Sequence, residues 1–296
     1  AKGGVGELAA LPVANALETA VGTLAVRAGG LGVSLLEDDA LTVGSVSFAV
    51  REVQTNATTV TDTPLVLSDV TTGSNGSIVL QTQAGSLTLT DGTGLADGVA
   101  VSANGSGNIR LQALDAGFDV IVNTVADIVS GGGHISVLAA RDVTFAAGAD
   151  VTTTGTGTVE VLAGTGSVTQ VDDSRFSSGT GAIRVAAQVD IALGGVTTGG
   201  NVSLVAVTGA VTDAGSLSGG EDVIAAGLRI KAATGIGTGA DALETSVVTL
   251  TAQTTISGGV FIRETDTLVV DDVSVTVQQV TASAGITPVT DANQSD

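Results

Sequence analysis

Gly107-Asn108-Ile109-Arg110-Leu111-Gln112-Ala113 reads as a glycine corner followed by a short strand. Alternation with period two puts Ile109 and Leu111 on one face and Asn108, Arg110 and Gln112 on the other. A strand this short cannot bury its apolar face alone. The phrase returns as Gly76-Ser77-Ile78-Val79-Leu80, Gly133-His134-Ile135-Ser136-Val137, Gly157-Thr158-Val159-Glu160-Val161, Gly181-Ala182-Ile183-Arg184-Val185 and Gly200-Asn201-Val202-Ser203-Leu204. Degenerate copies stand at Gly227-Leu228-Arg229-Ile230-Lys231 and Val248-Thr249-Leu250-Thr251-Ala252.

The first apolar residues of the copies from Ile109 to Val248 are spaced 26, 24, 24, 19, 26 and 20 residues apart. A second apolar run follows most copies, as in Val120-Ile121-Val122 and Val143-Thr144-Phe145, so each period holds two or three short strands. Copies stacked at about 4.8 Å would build a continuous core and satisfy the backbone through parallel ladders. The expected fold is therefore all-β, a parallel β-helix or solenoid with rungs of about 19–26 residues. Gly and Asn at the corners are expected to supply left-handed backbone conformations. The rival architecture, a string of immunoglobulin-like sandwiches, would carry a core Trp or corner Tyr and would not repeat a phrase at this period.

Composition narrows the partners. Thirty acidic against ten basic residues give a net charge of −20, which opposes nucleic-acid binding because phosphate contacts require Lys and Arg. There is no apolar run long enough for a spanning helix and no Trp or Tyr for the girdles of a membrane barrel, so no membrane span is expected. A hydrophobic fraction of 43% with alternating Val and Thr excludes a disordered acidic tail. Zero Cys removes disulfides as a stabilising device. With no initiator Met and no signal peptide, the chain reads as an internal or processed piece of something longer. The acidic charge suits an extracellular surface that repels its copies.

A longer repeat overlies the short one. Asn15–Val53 returns as Asp241–Val280: Ala16-Leu17-Glu18-Thr19, Val21, Thr23 and Leu24 recur at an offset of 226, then ten residues from Gly32 to Val53 recur at 227. That makes 17 identities over 39 positions in one preserved register, which argues for a tandem unit of about 227 residues. The expected organisation is the end of one solenoid unit over 1–53, a junction or outward loop over 54–75, a solenoid unit over 76–280 and the start of the next junction over 281–296.

Gly157-Thr158-Val159-Glu160-Val161, Gly166-Ser167-Val168-Thr169-Gln170 and Gly199-Gly200-Asn201-Val202-Ser203-Leu204 resemble phrases of the large bacterial haemagglutinin-type exoproteins, in the style of filamentous haemagglutinin. The resemblance covers 76–280, and 15–53 through the internal repeat. It implies a right-handed parallel β-helix, secretion, and a role in adhesion, biofilm or cell-surface structure. The amino-terminal secretion domain of that family is not in this sequence. The expected function is a structural or adhesive segment of a giant secreted filament protein, with neighbouring copies end to end as partners. The alternatives are a module binding glycans, receptors or cell surfaces, and a polysaccharide lyase or hydrolase.

Site candidates are sparse. A glycosidase needs two carboxylates about 5–9.5 Å apart across a cleft. The pairs Asp38-Asp39, Asp172-Asp173 and Asp271-Asp272 are sequence neighbours, which point to opposite faces of a strand, so no catalytic residue is expected. His134, the single His, cannot form a zinc site without Cys and reads as a solvated corner residue. The glycine runs lack a following Lys-Ser/Thr and are turns. Calcium is the best ligand candidate, since carboxylates and turn carbonyls suit a hard cation; Asp91, Asp97, Asp172 and Asp173 are the residues for it, against a solvated acidic surface.

Overall fold

In a computed structural model the described residues are 3–8, 15–63, 65–94, 96–215 and 220–294. Residues 1–2 and 9–14 of the expected first segment, and 295–296 of the expected last, lie outside them. The described residues contain strands, turns and bends and no α-helix. The strands stack into one parallel β-solenoid with three sheets.

Each recurrent phrase forms a strand of the first sheet. Ile78, Ile109, Ile135, Val159, Ile183, Val202 and Leu228 face one another rung after rung, parallel and in register. The last step differs from expectation: Leu228 pairs with Leu250 and not with Val248, so that rung spans 22 residues. The column also continues below the first phrase, because Ile78 pairs with Val33, 45 residues earlier. That interval is long because an antiparallel hairpin leaves the column within it, pairing Ser45–Phe48 with Leu65–Ser68 and Arg51–Val53 with Thr59–Thr61. We call this hairpin the spur. The chain rejoins the column at Val70–Thr72, so the stretch 54–75, expected as a junction or outward loop, holds the outer part of the spur and the return to the column.

The second sheet has nine parallel strands, from Thr23–Leu24 through Leu87–Leu89 and Val143–Phe145 to Gly235–Ile236. The third runs from Val26–Ala28 through Asp127–Ser130, Phe176–Ser177 and the first residues of Val223–Ala232 and Leu243–Thr254 to Ile262–Glu264. Inward residues of the three sheets make one continuous core of Val, Ile, Leu and Ala. Its two Phe, Phe145 and Phe176, pack edge to face with centroids 4.8 Å apart.

The glycine that opens each phrase answers to stacking. A Cβ on Gly133 would collide with the Gly107 carbonyl, one on Gly157 with the Gly133 carbonyl, and one on Gly181 with the Gly157 carbonyl. None of these three has positive φ, so close approach of backbones, and not a left-handed turn, selects glycine at this corner. The same carbonyls are held by hydroxyls from the ends of third-sheet strands: Ser130 donates to Gly107, Thr153 to Gly133, Ser178 to Gly157 and Thr198 to Gly181.

Gly132, beside Gly133, has room for a Cβ, with the nearest atom 3.8 Å away. Gly133→Ala should therefore destabilise the chain by about 3 kcal/mol, whereas Gly132→Ala should stay within about 0.5 kcal/mol, as read by urea unfolding of the two variants.

Candidate functional site

The acidic residues are organised along the corners. At the entry to the second sheet, Ser86 Oγ accepts the N–H of Asp119, and Asp119 Oδ1 accepts that of Asp142. Asp142 then accepts from Ser167, Ser167 from Asp190, and Asp190 from Ala210. At the entry to the third sheet Asp127 accepts from Asp150 and Asp150 from Arg175. Each carboxylate thus receives a backbone N–H of the next rung, a charge-assisted bond that ties rungs together. The high Asp content is in good part this ladder. His134 belongs to the equivalent ladder of the first sheet: its N–H donates to Asn108, and its Nδ1 accepts from the N–H of Thr158. It is half-buried, and burial lowers its pKa, which corrects the expectation of a solvated residue.

Two carboxylate clusters depart from this pattern. Asp69, Asp91 and Asp97 bring one oxygen each within 4.8 Å of one another, as do Asp213, Asp222 and Glu244. Both clusters sit where the chain passes from the second sheet to the third, near opposite ends of the column. In the first, Asp69 Oδ1 accepts from Gly92 and Asp91 Oδ2 from Gly98, while Asp69 Oδ2 and Asp91 Oδ1 are buried with no partner among the described residues. In the second, Asp222 Oδ2 accepts from the N–H of Glu244. Asp213 Oδ2 and both Glu244 carboxylate oxygens are buried without a partner among the described residues. Burial, with the charges of Asp213 and Glu244, pushes the Asp222 carboxyl up to about 8, and burial raises Asp69 and Glu244 as well.

Of the four calcium candidates from sequence, Asp91 and Asp97 are brought together and gain Asp69. Asp172 and Asp173 are exposed and belong to neither cluster. The second cluster was not anticipated. A shared signature, Asp69-Val70 and Asp222-Val223 at the start of a third-sheet strand, marks the deepest carboxylate of each.

Comparison with known proteins yields no matching protein family, no matching curated protein and no matching solved structure.

A second site is the outer face of the first sheet. Arg110, Ser136, Glu160, Arg184, Ser203, Arg229 and Thr251 form one outward row along the column. A C-terminal antiparallel hairpin, Val275–Val280 paired with Ile286–Asp291, lies across these strands. We call it the strap. It runs back toward the start of the column: Ser274 meets Asn201, Gln278 meets Thr158, Val280 meets Ser136, and Ala284 reaches Asn108. Val273, Val275 and Val277 pack there with Ala182 and Val289. Residues 281–294, expected at the start of the next junction, are held in this fold-back.

Charge closes the seam. Arg184 bridges Glu160 at 3.2 Å and Asp291 at 2.9 Å, and Ser203 donates to the same Asp291 oxygen. Burial pushes the Glu160 carboxyl up, opposed by a hydrogen bond from Gln279 and by the charges of Arg184 and Arg110. Removing one partner of a buried pair strands the other. Arg184→Ala is expected to weaken strap docking by about 3 kcal/mol. Hydrogen exchange should then accelerate over 275–291 and stay unchanged in the column strands 159–163 and 168–170.

Proposed function

We propose that this chain is a structural and adhesive segment of a very large secreted protein of the haemagglutinin-like kind, a stiff acidic rod at a bacterial cell surface. One observation carries the reading: a single parallel column runs from Leu17 to Val270 without a break in pairing. Such a column resists bending because every interior rung is bonded to two others through three sheets. Its interior is filled by side chains, and the phrase-opening glycines, the corner hydroxyls and the laddered carboxylates serve contact between rungs. Lateral charge keeps rods apart in solution. Partners on this reading are neighbouring units end to end, with no nucleic acid. Electron microscopy of native material should show fibres with an axial repeat on the order of 50 Å per unit. Bead-like particles would refute the rod. A glycan array probed with the chain should stay blank along the column; strong glycan binding abolished by spur substitutions would favour the binding-module reading instead.

A second reading concerns calcium. Three carboxylates with oxygens within 4.8 Å suit a hard cation ligated at about 2.4 Å, and the orphaned Glu244 and Asp213 oxygens give that reading its support. Without a cation, the raised Asp222 pKa makes the folded state bind a proton more tightly than the unfolded one. That stability is fully present below pH about 4 and is lost as pH rises through about 8. Calcium should raise Tm at pH 8 and flatten this pH dependence, and Asp222→Asn should remove both effects. An unchanged Tm on adding calcium or a chelator at pH 8 would leave only a carboxylate that keeps its proton.

A further inference from the structure

The two copies of the long repeat share local geometry, set one sheet apart around the column: Leu17–Thr19 and Leu24 lie in the first and second sheets, their matches Leu243–Thr245 and Leu250 in the third and first. Glu37 accepts the Thr19 hydroxyl at 2.5 Å and the Val21 N–H at 2.7 Å. Glu264 accepts the Thr245 hydroxyl at 2.7 Å and the Val247 N–H at 3.1 Å. Gly6 and Gly237 share positive φ, 68° and 59°, and each is crowded by the backbone N of the matching leucine, Leu17 or Leu243. The correspondence extends to spur and strap. Near their tips the arms pair in the same register, Val53 with Thr59 and Val280 with Ile286, while at its base the spur is shifted by one residue, with Phe48 on Leu65. Their turns close alike: Gln54 N–H donates to Thr58 and Thr281 N–H to Gly285, with Ala57 and Ala284 both at positive φ.

The copies differ in what covers them. Val273, Val275, Val277 and Val280 of the strap are buried on the first sheet, whereas on the spur the matching Phe48, Val50 and Val53 are exposed and Val46 is half-buried. Val53 is 70% exposed and Val280 is 0%. The rung below shows the same contrast. Leu243 and Val247 are 0% and 3% exposed because Val223–Ala232 lies beneath them, while Leu17 and Val21 are 46% and 41% exposed. An apolar hairpin and an apolar rung edge, both exposed among the described residues, are what an interface looks like before its partner arrives.

We infer that the Leu17–Val21 edge and the spur together form a docking surface for a second copy of this repeat, placed on its amino-terminal side. This rests on the reading of the chain as one unit of a tandem rod. The second copy supplies two things. Its Val223–Ala232 strand stacks beneath the edge, with Thr19 on Val223, Val21 on Ala225 and Leu24 on Leu228, the register already used by Thr245, Val247 and Leu250. Its outer first-sheet row, the counterpart of Ser136, Glu160 and Arg184, receives the spur as this chain's row receives the strap. Each unit would thus be strapped by a hairpin belonging to the next.

The test is a two-unit chain, residues 1–240 followed directly by 15–296, which restores the repeat because Asn15 corresponds to Asp241. The native chain has no Cys, so single thiols report unambiguously. Val50→Cys in the second unit should be labelled roughly 100-fold more slowly than Val50→Cys in the first. Val21→Cys of the second unit should form a disulfide with Ala225→Cys of the first. Equal labelling with X-ray scattering that still shows one rod would overturn the spur assignment and leave the rod standing; two beads would overturn both. Should the two-unit chain fail to fold, the single chain with residues 272–294 replaced by 45–68 decides. Val50→Cys in the transplanted hairpin should then be as protected as Val277→Cys in the native strap, and free labelling of it would overturn the proposal.

Discussion

Backbone stacked on backbone at the corners is the constraint on which this molecule depends. A rung of some two dozen residues turns three corners, and at each one the chain lies directly over the corner beneath. At the corner that enters the first sheet no side chain fits, which is why Gly107, Gly133, Gly157 and Gly181 recur. At the other corners the next rung's N–H groups would be left without acceptors, and Asp119, Asp142 and Asp190 supply them. The glycine phrase and the acidic composition have one origin: rungs in contact must exclude Cβ atoms in one place and provide oxygen in another.

The same constraint explains where order fails to close on itself. A solenoid has two ends, and each end leaves an unpaired rung. At the far end of this column the strap folds back and buries its valines on the first sheet. At the near end the equivalent Phe48, Val50 and Val53 are exposed. The difference between a buried Leu243 and a half-exposed Leu17 lies in what sits beneath them, since the two residues and their neighbours are the same in sequence.

The strap also gives the first sheet a polar outer row with structural work to do. Arg184 bridges Glu160 and Asp291 in a largely buried charge cluster where the strap lies on the first sheet. Pairs of this kind add little net stability and strongly disfavour wrong registers, because a slipped strap would strand a charge. The valines supply burial, and the charged row fixes where the strap may sit.

The period-two triplets, their spacing of 19 to 26 residues and the glycine before each determined the all-β parallel column and the identity of its inward residues, because side-chain alternation and corner sterics are local. The long repeat was also legible, since 17 identities survive in one register. Asp91 and Asp97 could be singled out as loop carboxylates; their partner Asp69 could not, because it stands more than twenty residues away and meets them only when one rung lies on another. Asp213, Asp222 and Glu244 converge for the same reason. Only the tertiary structure decided that Val273–Val280 folds back while Val46–Val53 stands free: identical patterns take different fates according to whether a column lies within reach.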